Sequence, residues 1–235
     1  MGQQKNTIIS ILAIFLIGSL AWAGDTASYV DLGFSPDGTR YMFAQYGIES
    51  KTLKPWAELN VVDVPKNNFV PEGRASYLHD APMIPGQDGS GALYTLLGQN
   101  ILLTKKNNID FLRQGQALFI AMENGDSAAQ KNKSIEFRDF DSGASYAATL
   151  VPYAEGTGPA LKSSFYITLE RTGKDGTKKK YIVGTPSVKR PLVMDYTIRR
   201  VVVAPKDGSL VFVVEMKKQA DSGYDTRYMV EALRL

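Results

Sequence analysis

His79 is the only histidine in the 235-residue chain, and the chain has no cysteine. Any Ser-His-Asp arrangement must therefore use His79, which stands between Leu78 and Asp80. A serine nucleophile on a strand-to-helix elbow needs Gly-x-Ser-x-Gly, and Gly89-Ser90-Gly91 lacks that spacing. The plain reading of His79 is a loop side chain with a local hydrogen bond. One histidine without cysteine also falls short of a zinc ligand set. Thiol nucleophiles, cysteine-ligated metals and disulfides are excluded outright.

The glycine-rich stretch Gly86-Gln87-Asp88-Gly89-Ser90-Gly91 precedes a helical pattern, and backbone amides at a helix start bind anions. It has no Gly-Lys-Ser/Thr, and Pro82-Met83-Ile84-Pro85 breaks the strand that a dinucleotide fingerprint requires. The plain reading is a flexible connection into a capped helix. Asp139-Phe140-Asp141-Ser142-Gly143 begins like a calcium loop but supplies no third donor before the glycine and no closing glutamate, which leaves a hairpin turn. Lys174, Lys178, Lys179 and Lys180 with Arg171 cluster about one hairpin, where they suit an anionic partner or simply protect a sheet edge. A carboxylate-based hydrolase needs two acids across a cleft, one held protonated. Glu58, Asp63, Asp139 and Asp195 are open to that role only because spacing does not forbid it. Among the 12 tyrosines, Tyr41, Tyr46, Tyr146, Tyr153, Tyr166 and Tyr181 fall in or beside strand patterns, where cross-strand packing and sugar stacking use the same ring. The sequence thus nominates no catalytic, cofactor-binding or metal-ligating residue, and no cofactor.

The elements that would position these groups start after a leader. Met1 to Asn6 carry one cation, Lys5; Ile8 to Leu20 carry no charge; Ala21-Trp22-Ala23 follows. This is the layout of a signal peptide cleaved after Ala23, with an apolar run shorter than the ~20 residues of a spanning helix. No later segment is apolar enough to span a membrane as a helix. The formal charge of +3 gives no support to nucleic-acid binding.

Residues 24–235 are expected to form one exported, β-rich domain. Leu32 to Ala44 reads as an apolar run, a Pro36-Asp37-Gly38 turn and a second apolar run; Arg200 to Val214 repeats that order around Pro205-Lys206-Asp207-Gly208. Proline presets the turn φ, glycine accepts positive φ and aspartate hydrogen-bonds its own backbone, so both read as β-hairpins. Trp56 to Val64 and Tyr224 to Leu235 supply a third strand to each, giving units at about 28–70 and 197–235. Between them, in the middle region 74–195, Arg74 to Pro85 reads as irregular. Leu93, Leu96, Leu97 and Ile101 line one helix face, predicting one helix over about 91–106 with Ser90 as N-cap and Asn107-Asn108 as its end. Strands are predicted at 116–122, 134–140, 144–152, 163–172 and 179–184, joined by turns at Asn124-Gly125-Asp126, Asp141-Ser142-Gly143 and Lys174-Asp175-Gly176. The fold class is mainly β: antiparallel sheets, as a sandwich or an incomplete propeller, with one principal α-helix.

Phe34-Ser35-Pro36-Asp37-Gly38 followed by Val61-Val62-Asp63-Val64 resembles a blade of TolB-like β-propellers, although two copies are too few for a ring. With Ser163-Ser164-Phe165, Ser187-Val188-Lys189-Arg190 and Arg227 to Leu235 added, most of residues 24–235 resembles a family of predicted secreted bacterial proteins. That resemblance implies export and a β-rich fold and carries over no site residue. The expected role is a non-catalytic exported protein, periplasmic or secreted, that binds a protein or envelope component, with a hydrolase of glycans or peptidoglycan as the alternative.

Overall fold

The computed structural model describes residues 24–84, 86–122, 133–221 and 223–235. The expected leader and the turn at Asn124-Gly125-Asp126 lie outside the described residues. The first sheet is an antiparallel meander of β1 (Ser28–Phe34), β2 (Arg40–Ile48), β3 (Pro55–Asp63) and β4 (Asn68–Leu78). Two helices follow, α1 (Ser90–Gln99) and α2 (Ile101–Lys106), then β5 (Gln116–Ile120). The second sheet holds β6 (Ser134–Arg138), β7 (Ser145–Glu155), β8 (Lys162–Thr172), β9 (Lys178–Val183) and the short β10 (Arg190–Pro191). The third holds β11 (Val193–Val203), β12 (Leu210–Gln219) and β13 (Tyr224–Leu233), with β5 paired to β11. The fold is therefore mainly β with one principal helix.

Both Pro/Asp-Gly hairpins form as the turn residues dictate. Ser35 N donates to Arg40 O at 2.9 Å across the first, and Asp37 Oδ1 accepts from the Ser35 hydroxyl and the Thr39 amide. Ala204 N donates to Ser209 O at 2.8 Å across the second, where Asp207 Oδ1 takes the Ser209 amide. The two turns are neighbours in space, since a methyl placed on Gly38 would touch the side chains of Asp207 and Ala204.

The sheets stack in layers, and the alternation of side chains along a strand explains how. On β12, Leu210, Phe212 and Val214 join a core with Ile135, Phe137, Phe165 and Ile167 of the second sheet. Val211 and Val213, on the opposite face, pack with Phe34, Tyr41, Phe43 and Val62 of the first sheet. The far face of the first sheet presents Met42, Ala44, Leu59 and Val61 to Ala92, Leu93 and Leu96 of α1. The order is thus helix, first sheet, third sheet, second sheet. A strand buried on both faces must be apolar at every position, which is why 210–214 is an unbroken apolar run. β7, with one face outward, alternates between exposed and buried from Ser145 to Leu150.

Three details depart from the expected pattern. The stretch read as irregular from Arg74 is strand β4 as far as Leu78, because Ala75 and Tyr77 alternate inward against α1. The helix breaks at Asn100, whose φ of −114° leaves the helical region while its side chain donates to Leu96 O at 2.9 Å. The N-cap is Gly89, not Ser90: at φ 77° the chain turns left-handed there, and a methyl on Gly89 would lie 3.1 Å from Gly47 O, so glycine lets the helix start press on the end of β2. Asn108, at φ 52°, closes α2 in the expected left-handed conformation.

Candidate functional site

At the end of the first sheet opposite the Pro36-Asp37-Gly38 turn, the chain leaves β4 and crosses to α1. Met83 N donates to Leu53 O at 2.7 Å, and His79 N donates to Pro55 O at 2.9 Å, tying the crossing segment to the β2–β3 turn. The result is an open cleft of ≈ 660 Å³, walled by Tyr77, His79, Met83, Gln87, Asp88 and Ser90. His79 and the glycine-rich stretch, unrelated in the sequence, thus share one site. The Tyr77 hydroxyl and His79 Nδ1 are 2.9 Å apart, and the two rings lie 6.2 Å apart at a tilt of 41°.

The start of α1 uses its own amides. Ser90 N donates to Asp88 Oδ1 at 3.0 Å, and Ala92 N donates to Gly89 O at 3.0 Å. That bond from Ser90 holds the Asp88 carboxyl below the usual carboxylate range. An anion approaching the helix start would find the Ser90 and Ala92 amides already engaged and the Asp88 negative charge beside them.

The other nominated residues are scattered. Asp139 closes its own turn, accepting from Asp141 N, Ser142 N and the Ser142 hydroxyl. Burial pushes its carboxyl up, but the bonds from Ser142 and Asp141 outweigh that and leave it below the usual range. Asp63 pairs with Arg40 at 3.0 Å, Asp195 pairs with Lys133 at 3.1 Å, and Glu58 accepts from Gln45 Nε2 at 2.8 Å. Lys178 and Lys180 both reach Glu170, at 2.9 and 3.7 Å. The tyrosines divide between core and surface: Tyr41 and Tyr146 are buried, while Tyr153 is 59% exposed. No three metal-binding side chains cluster among the described residues.

Two carboxyls that the sequence did not single out are buried and shifted upward. Asp31, on β1, is raised to about 6 by burial, although Gly33 N and the Tyr41 hydroxyl donate to it. Glu231, on β13, is raised by burial against the opposing pull of Asn67 and Arg190. Neither lines the cleft at α1. Each sits on a strand with apolar neighbours, and only packing against another sheet makes its position unusual, so no sequence signal marked them. Tyr77 had a signal, the alternation of Ala75 and Tyr77, hidden by the prolines that follow.

The architecture is that of a mainly β protein of stacked antiparallel sheets with a cleft where its principal helix begins, and among the described residues no helix is long and apolar enough to cross a membrane. Residues 42–234 match the family described as "Predicted secreted protein (DUF2259)", and the chain belongs to that family. Among the described residues the match takes in most of β2 and every strand from β3 onward. No curated protein and no solved structure matches the chain.

Proposed function

We propose that this is a non-catalytic exported protein, released from its leader after Ala23, whose residues 24–235 act as one domain that binds an envelope component through the cleft at the start of α1. The observation that carries this reading is the lining of the cleft. It is roomy, partly apolar and edged by polar groups, as small-molecule sites are. It holds one carboxylate, Asp88, which lies below the usual range rather than above it. Acid catalysis of glycoside cleavage needs a raised acid facing a second carboxylate, so the hydrolase reading draws nothing from this site.

Two measurements test the proposal. The intact mass of the exported protein is expected to correspond to a chain beginning at Gly24; a mass retaining residues 1–23 would overturn the leader. Incubated with isolated cell envelopes and sedimented, the exported protein is expected to be retained saturably. Tyr77→Ala and His79→Ala should each reduce retention by about tenfold, the loss of one aromatic contact with its hydrogen bond. Equal retention of variants and parent, with unchanged melting, would remove the cleft from the function.

A further inference from the structure

The same cleft constrains the chemistry of what it holds, and the following rests on the binding reading above. We infer that the ligand is a neutral carbohydrate presented as a segment of about two sugar rings.

The charge of the site narrows the choice first. Among the described residues, no lysine or arginine lines the cleft, and its charged or chargeable groups are Asp88 and His79 alone. Phosphates and other polyanions are recognised by clustered cations or free backbone amides. Here the amides of Ser90 and Ala92 are spoken for, and Asp88 faces the same space. An anion therefore has little to gain, despite the glycines and the helix start.

The polar groups that remain match hydroxyls. A sugar hydroxyl donates one bond and accepts others, so it is best met by planar groups that offer donor and acceptor side by side. The Gln87 carboxamide offers both, the Asp88 carboxylate offers acceptor oxygens, and the Ser90 hydroxyl does either; Gln87 and Asp88 are exposed and Ser90 is half-buried. The Tyr77 and His79 rings line the same cleft and are joined by a hydrogen bond. A sugar ring has an apolar face of C–H bonds that rests on such a surface, and Met83 and Pro55 extend it. Aromatic rings and small polar groups lining one open cleft suit an uncharged polyol better than a peptide, whose side chains would want deeper separate pockets. The volume of ≈ 660 Å³ is ample for two rings.

The test is a titration of the exported protein, with backbone amides followed by NMR, using cellobiose and N,N′-diacetylchitobiose as neutral disaccharides and inorganic pyrophosphate as the anion. At least one disaccharide is expected to shift the amides of residues 86–92 saturably, and pyrophosphate is not. Asp88→Ala, at an exposed side chain outside the core, is expected to weaken that binding by about tenfold, the loss of a bond to a charged acceptor. Phe140→Ala, in the turn between β6 and β7, should leave it unchanged. Pyrophosphate binding at 86–92, or disaccharide binding indifferent to Asp88→Ala, overturns the assignment. If neither disaccharide binds while envelope retention still depends on Tyr77, the carbohydrate class is wrong and the binding role stands. If retention is independent of Tyr77 as well, both fail.

Discussion

Replacing Phe212 by alanine is expected to lower the unfolding free energy by about 4 kcal/mol, the usual penalty for emptying a large aromatic site in a core. Phe212 is fully buried on β12, in the layer with a sheet on either side. Its ring meets Phe137 edge-on at 6.4 Å and fills the space between the third and second sheets beside Ile198 and Phe165. Because β12 and its partners are clamped on both faces, the layers have little freedom to collapse into the void. Folded domains are stable by only roughly 5–15 kcal/mol, so this one truncation removes a large share. Urea unfolding followed by circular dichroism gives the difference. Phe140→Ala serves as the reference, since Phe140 is 80% exposed and should shift stability by no more than about 0.5 kcal/mol. A Phe212→Ala loss below about 1 kcal/mol would contradict the layered packing.

A second large effect concerns pH. Asp31 is buried on β1, beside the bulge at which Gly33 takes φ 104° to bring its backbone against Asp110. The Tyr41 hydroxyl interacts with its carboxyl and shares a 2.6 Å hydrogen bond with the Tyr29 hydroxyl. Burial nevertheless raises Asp31 from 3.8 to about 6. Between those values the folded chain holds a proton that the unfolded chain has lost. The stability due to this group is therefore complete below pH 4 and is lost as pH rises through 6, by about 3 kcal/mol in all. Asp31→Asn keeps an oxygen for the Gly33 amide and cannot ionise. It should match the parent near pH 4 and exceed it by up to about 3 kcal/mol at pH 7.5. Glu231, also raised by burial, works in the same direction but is common to both proteins, so the difference between them isolates Asp31. Urea midpoints for both proteins at pH 4, 5, 6 and 7.5 check this, and parallel curves would show that Asp31 does not titrate as a buried acid.

Much of the secondary structure could be read from residue order because its causes are local. Pro36-Asp37-Gly38 and Asp207-Gly208 set turns through their own φ preferences and side-chain bonds, and Ile167 to Glu170 pairs with Lys180 to Val183 across Lys174-Asp175-Gly176 as turn chemistry requires. The apolar run at 210–214 read as a hairpin strand, and the structure covers it on both faces. Where prolines crowd the pattern, as after Tyr77, local cues misled, because β4 is held by pairing with β3 and packing on α1 rather than by its own residues. Asn100, where the helix breaks, adds a side-chain bond to Leu96 O beside the one its own backbone amide makes at 3.1 Å, a local contact that apolar spacing does not register.

The amino-acid order alone settled the β-rich class, the two terminal hairpins, the stretch that carries the helices and the absence of thiol chemistry, since each depends on residues a few positions apart or on composition. Only the tertiary structure decided that the terminal hairpins lie in different sheets packed face to face, that Asp31 and Glu231 are buried, and that His79 shares a cleft with Gln87, Asp88 and Ser90. The first two outcomes depend on which apolar faces cover one another across long stretches of chain, and many pairings of similar faces are compatible with one pattern until the layers close; the third depends on the crossing segment being tied to the β2–β3 turn through Met83 and His79.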